Sequence, residues 1–149
     1  MIVLLDNTVL SNFSNIERPD LVHLALGETA ATVNEAFTEY MAGVQAGKIP
    51  DCDWSWLPIF TLDTAQRTSF ERLHARLGAG EAACIALALA RGYRICTDDR
   101  DARKMAAQLQ VPVTGTLGLL VRLVELGHLA EVEADPLLKG MIAAVIMPQ

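Results

Sequence analysis

The stretch ICTDDRDARK, Ile95–Lys104, places three aspartates, Asp98, Asp99 and Asp101, within four positions, directly after an apolar run that reads as a strand. Like charges so spaced repel, and capping a following helix needs only one acid. A divalent cation accepts several carboxylates and relieves their repulsion. The alternative is a solvated turn neutralised by Arg100, Arg103 and Lys104.

Three further acids stand where such chemistry would want them. Asp6 closes the apolar run MIVLL at a strand-to-helix junction, as a helix N-cap, a ligand, or both. Glu81, Ile85, Ala88 and Gly92 follow at i, i+4, i+7 and i+11, which puts Glu81 on an otherwise small and apolar stripe, in the first turn of its helix. A partner for the helix dipole could face solvent; this one is expected to face inward. Between Glu35 and Glu39, the apolar positions Val33, Ala36, Phe37, Tyr40, Met41 and Val44 leave Glu35 pointing away as a solvated charge and Glu39 at the border as the site candidate. Thr116, after the strand VPVTG, is expected to be an N-cap whose hydroxyl can also touch a phosphate.

The elements that must position these acids alternate. Strands are expected in MIVLL, TAATV, LPIFTL, YRICT and VPVTG. Helices are expected at Asn7–Ile16, Asp20–Leu26, the NEAFTEYMAGVQAG segment, Asp63 or Thr64 to about Leu77, Gly80–Ala90, Asp99–Leu109, Leu117–Leu126 and about Pro136–Ile146. Lys48–Pro58 reads as a loop whose Trp54 and Trp56 plug a core edge. Such alternation implies an α/β three-layer sandwich, a central parallel sheet of about five strands with helices on both faces. Ligands gather beyond the carboxyl ends of such strands, where Asp6, Asp98 and Asp99 all fall.

The 149 residues, 52% hydrophobic and 20% charged, fit one domain over 1–149, with 128–149 as a C-terminal helical extension. A net charge of −6 opposes broad capture of a polyanion, although bound cations reverse a local field. Cys52, Cys84 and Cys96, with no CxxC pair and no histidine nearby in sequence, argue against a zinc or disulfide framework. They point to a reducing, cytoplasmic setting. The N-terminus has no basic leader, and PLLKGMIAAVIM is too short to span a bilayer, so no membrane role is expected.

The ordered acids resemble the PIN domain, a family of metal-dependent ribonucleases that includes the toxins of VapBC-type toxin–antitoxin pairs. The resemblance covers Met1 to about Leu126. It rests on IVLLDNTVLSNF, GEAACIALALARGYRICTDDRDARKMAAQL and VPVTGTLGLL; the last two look closest to a PIN-like branch of predicted nucleic-acid-binding proteins. It implies that Asp6, Glu39, Glu81 and Asp99 are the family's four acids, with Asp98 and Asp101 as neighbouring ligands. It also implies Mg²⁺ or Mn²⁺ as cofactor and RNA as substrate, cleaved to 5′-phosphate and 3′-hydroxyl ends. Asn7, Thr8, Arg100 and Thr116 would contact the substrate. Asn7 departs from the Thr or Ser usual after the first aspartate, which keeps open a catalytically silent module that binds nucleic acid or protein. An antitoxin protein or a homodimer would use the apolar segment Leu137–Met147, which also reads as an ordinary core helix. Haloacid-dehalogenase-like phosphatases share the early aspartate but want a second one where this chain has Thr8.

Overall fold

A computed structural model of the chain describes residues 1–146. Five strands form one parallel sheet: β1 (Val3–Leu5), β2 (Ala30–Val33), β3 (Ile59–Phe60), β4 (Arg94–Cys96) and β5 (Val113–Thr114), in the order β3-β2-β1-β4-β5. The strands are short and apolar because both faces are covered. In β1, Val3 and Leu5 enter one core and Leu4 the other, as a period of two requires.

Eight helices cover the sheet: α1 (Asn7–Asn15), α2 (Asp20–Leu26), α3 (Asn34–Gln45), α4 (Thr64–His74), α5 (Ala79–Arg91), α6 (Arg100–Gln108), α7 (Thr116–Glu125) and α8 (Glu131–Ile146). Residues of α1, α2 and α7, with Met141 of α8, join one core; α4, α5 and α6 build the other. The chain is thus the expected α/β sandwich with helices on both faces. Met147, counted above in the apolar C-terminal segment, lies outside the described residues. Among the described residues, no helix is long and apolar enough to cross a membrane.

From β1 the chain steps outward to β2 and β3, then returns to β4 on the other side of β1. The carboxyl ends of β1 and β4 therefore flank the point where the winding reverses, the usual ligand crevice of such sheets. Pairing Leu5 with Cys96 puts the next residues, Asp6 and Thr97, side by side.

α5 is the most deeply set helix: all seven residues from Ala82 to Ala88 are buried. Its surface of Ala, Gly and Cys lets neighbours come close. A Cβ on Gly80 would stand 2.9 Å from the Ala36 Cα of α3, so glycine is what allows α3 and α5 to touch there. Gly92 ends α5 in the left-handed conformation, with φ of 70°.

Several boundaries differ from expectation. β3 is only two residues, at a sheet edge next to the Lys48–Pro58 loop. α4 opens with a capping box between Asp63 and Gln66 and stops at His74. α8 starts at Glu131, so Pro136 lies inside it and not at its start. Trp54 is buried, its indole N–H donating to Ser14 Oγ at 2.8 Å, so it serves the core as expected. Cys84 and Cys96 are buried core residues.

Candidate metal centre at the sheet rim

Asp6 is the best-anchored acid. It is 1% exposed and caps α1, accepting the Val9 N–H at 3.3 Å. The Thr8 hydroxyl donates to its Oδ1 at 2.6 Å and the Thr97 hydroxyl to its Oδ2. Each hydroxyl has one hydrogen, and each also accepts a backbone N–H: Thr8 from Asp98 and Thr97 from Asp99. Both hydroxyl hydrogens must therefore point at Asp6. Two hydroxyls so tie Asp6 to the β4–α6 turn. Burial nevertheless outweighs these donors and raises the Asp6 carboxyl to about 6.

Asp99 caps α6, its side chain accepting the Ala102 N–H at 2.9 Å. Asp98 does different work. Its Oδ1 accepts the Thr116 N–H at 2.8 Å, and its Oδ2 accepts the Asn12 amide at 2.7 Å and the Thr116 hydroxyl. It joins α1, the β4–α6 turn and the start of α7. Gly115, not Thr116, is the N-cap of α7; the cap side chain is missing because Asp98 reaches across to the first helical N–H instead. Gly115 must be small, since a Cβ there would sit 2.5 Å from Asp98 Oδ1. Asp101, in the first turn of α6, is exposed with no side-chain bond among the described residues.

Glu39 and Glu81 meet across the α3–α5 contact. Glu39 accepts the Gly80 N–H at 3.0 Å and Glu81 the Gly78 N–H at 3.2 Å. A Cβ on Gly78 would lie 3.6 Å from a carboxylate oxygen of each. Burial raises the Glu81 carboxyl to about 7, helped by the charges of Asp99, Asp6 and Glu39. One side chain thus feels the other three acids. Burial also raises Glu39, while the Gly80 N–H and the nearby His74 pull it down.

Glu35 is not the solvated charge expected. Its side chain is 11% exposed, bonded to Arg67 of α4 at 3.2 Å, and its other oxygen is buried without a partner. The single-face reading fails because α3 has two buried sides, with Ala36 in one core and Tyr40 in the other.

The proposed substrate contacts are divided. Asn7 accepts the Ser11 hydroxyl at 3.0 Å, Thr8 and Thr116 bond to the aspartates, and Arg100 is exposed. Arg103 donates to the Thr97 carbonyl at 2.9 Å and so braces the turn. Among the described residues, no ion pair involves Asp6, Glu39, Glu81, Asp98 or Asp99; the pairs found are Arg18–Asp20, Arg67–Glu35 and Lys139–Asp135.

Thr97 and Asn12 also belong to the site. Thr97 directly precedes the aspartates, where a hydroxyl beside Asp6 follows from strand register alone. Asn12 lies one turn beyond Thr8 on α1, and that i, i+4 spacing points both side chains at Asp98.

A family model for the PIN domain matches residues 2–147. The chain belongs to the PIN domain family. Comparison with curated proteins gives no match. PIN domains are generally nucleases that use divalent metals, and the carboxylates that this PIN domain gathers beyond β1 and β4 are hard oxygen donors, in a crevice where burial and mutual repulsion hold two carboxyls above their ordinary range. That chemistry fits a hard cation. The geometry as it stands is looser: among the described residues, no three His, Cys, Asp or Glu side chains are grouped closely enough to enclose an ion. Glu39 and Glu81 are turned onto the α5 amides.

Proposed function

We propose that this PIN domain is a divalent-metal-dependent endoribonuclease. The observation that carries the reading is a placement: Asp6 follows β1 beside Thr97 of the β4 end, Asp99 comes two residues after Thr97, and Glu39 and Glu81 meet around Gly78, with no ion pair to any of the four among the described residues. Asp6 and Asp99 would hold Mg²⁺ or Mn²⁺, with Glu81 and Glu39 completing the set once they leave the amides of Gly78 and Gly80. When bound, such a cation makes water more acidic and offsets charge on phosphate oxygens. The chain's own residues supply the rest. The Thr8 and Thr97 hydroxyls fix the Asp6 carboxylate, while Asp98 and Arg103 hold the turn that carries Asp99. Arg100, exposed beside that turn, is free to meet the RNA backbone.

Labelled RNA incubated with Mn²⁺ is cut, and EDTA abolishes cutting. Cleavage that persists in EDTA refutes the metal role. A cytoplasmic setting and an antitoxin partner or a homodimer using α8 belong to the same proposal.

A second reading is a silent module that binds RNA or protein. It is favoured by the hydrogen bonds that turn Glu39 and Glu81 onto backbone amides. Lack of any Mn²⁺-dependent cutting, with RNA binding retained, would select it.

A further inference from the structure

The end of α4 and the turn that follows it lead into Gly78 beside the acids. They carry Arg72 and His74 on α4 and Arg76 in the turn, three potential cations in five residues of a chain whose net charge is −6. All three are exposed, and none is ion-paired among the described residues. His74 is held in place from two sides. Its ring stacks on Phe70, with centroids 5.1 Å apart and planes 21° apart. Its Nδ1 lies 3.0 Å from the Leu77 carbonyl oxygen. A carbonyl only accepts, so Nδ1 carries a hydrogen, and Nε2 has no partner among the described residues. The residue after Leu77 is Gly78, around which the Glu39 and Glu81 carboxylates meet. A fixed ring with a free nitrogen thus stands next to the acid cup.

We propose that His74 is a substrate-binding residue: as the imidazolium, with a hydrogen on both ring nitrogens, its Nε2–H donates to a backbone phosphate of single-stranded RNA flanking the acid cup, and Arg72 on α4 and Arg76 in the turn after it extend the track. This rests on the nuclease reading only for the choice of RNA as ligand. An acidic rim repels RNA, so some wall of the crevice must supply cations, and this turn runs directly into Gly78, where the Glu39 and Glu81 carboxylates meet. An imidazole locked by its other nitrogen loses little freedom when it meets a phosphate.

The test uses the full chain, Ca²⁺ and a short fluorescein-labelled oligouridine, with binding read by anisotropy over a range of salt. His74→Asn keeps a donor at the position of Nδ1 and removes Nε2. It is expected to bind about tenfold more weakly at unchanged melting temperature, and the slope of log affinity against log salt is expected to shrink by roughly 0.7, as for one phosphate contact on a single strand. His74→Gln, which places a donor near Nε2 and loses the clamp to Leu77, is expected to bind closer to wild type. Wild-type affinity and slope in His74→Asn overturn the proposal, as does equal weakening in both variants, which would mark the clamp alone as what matters. Should His74→Asn not fold, the ring signals of His74 in the wild type are expected to move when the oligouridine is added, and unmoved signals overturn the proposal. Wild-type cleavage in Mn²⁺ with unaltered binding in His74→Asn refutes this inference and leaves the nuclease standing. Binding that depends on His74 without any cleavage does the reverse. A wild type that neither binds nor cuts RNA removes both.

Discussion

Asp98 and Thr116 are joined by two hydrogen bonds across the rim, one from the Thr116 backbone N–H at 2.8 Å and one from its hydroxyl. Together with the Asn12 amide they occupy both oxygens of the first carboxylate of the triple-aspartate cluster. Asp98→Ala leaves these donors without their acceptor. It is expected to lower stability by about 1–3 kcal/mol, read by denaturant melts, and to reduce cleavage because the turn holding Asp99 loosens. A variant as stable as wild type would show that the bracket carries no load.

Asp99→Asn separates chemistry from architecture. Asn is as good an N-cap as Asp, so the Ala102 N–H keeps its acceptor and the fold should persist. The charge acting on Glu81 disappears. Cleavage is expected to fall by orders of magnitude, the metal-free melting temperature to rise, and the Glu81 carboxyl, followed by NMR titration, to drop below about 7. An unmoved Glu81 would place Asp99 away from the cup.

The acids also set a pH dependence. Asp6 ordinarily titrates near 3.8 and in the fold near 6, so the folded protein favours its acid form. That contribution is full below about 3.8, is lost as pH rises through 6, and amounts to roughly 3 kcal/mol. Glu81 acts in the same direction, from 4.5 up to about 7. The metal-free protein should therefore melt at progressively lower temperature between about pH 4 and 7. Metal binding runs the other way, because ligands must shed their protons: Mn²⁺ affinity and cleavage should rise over pH 6–8. Calorimetry with and without Mn²⁺ reads both trends.

Gly80→Ala is expected to cost about 1–3 kcal/mol, since the new methyl meets the Ala36 backbone at 2.9 Å and also the Glu39 carboxylate. Thermal melts and Mn²⁺ titration should both register it.

Much of this was legible in the sequence because local signals agreed. Buried strands gave unbroken apolar runs, Gly92 marked the end of α5, and Asp6 and Asp63 capped the helices they precede. LPIFTL reads as a longer strand than β3 because an apolar run does not disclose that only Ile59 and Phe60 find a partner strand. Periodicity puts Glu35 in solvent because it assumes one wet face, whereas α3 is covered on two sides and Arg67 arrives from a helix 32 residues on. Asp98 looked like Asp99 in sequence; only the folded partners, Asn12 and Thr116, 86 and 18 residues away, separate bracket from candidate ligand. The turning of Glu39 and Glu81 onto glycine amides is a rotamer choice that no spacing encodes.

The bare flank of α5 has an evolutionary corollary. The place of Glu39 beside α5 depends on what is missing at Gly80, where a methyl would strike both its carboxylate and the Ala36 backbone. Enlargement there would disturb the chemistry and the scaffold together. A saturation mutagenesis map scored for activity should therefore light up at Gly80 almost as brightly as at the acids, and a map scored for abundance should register it as well.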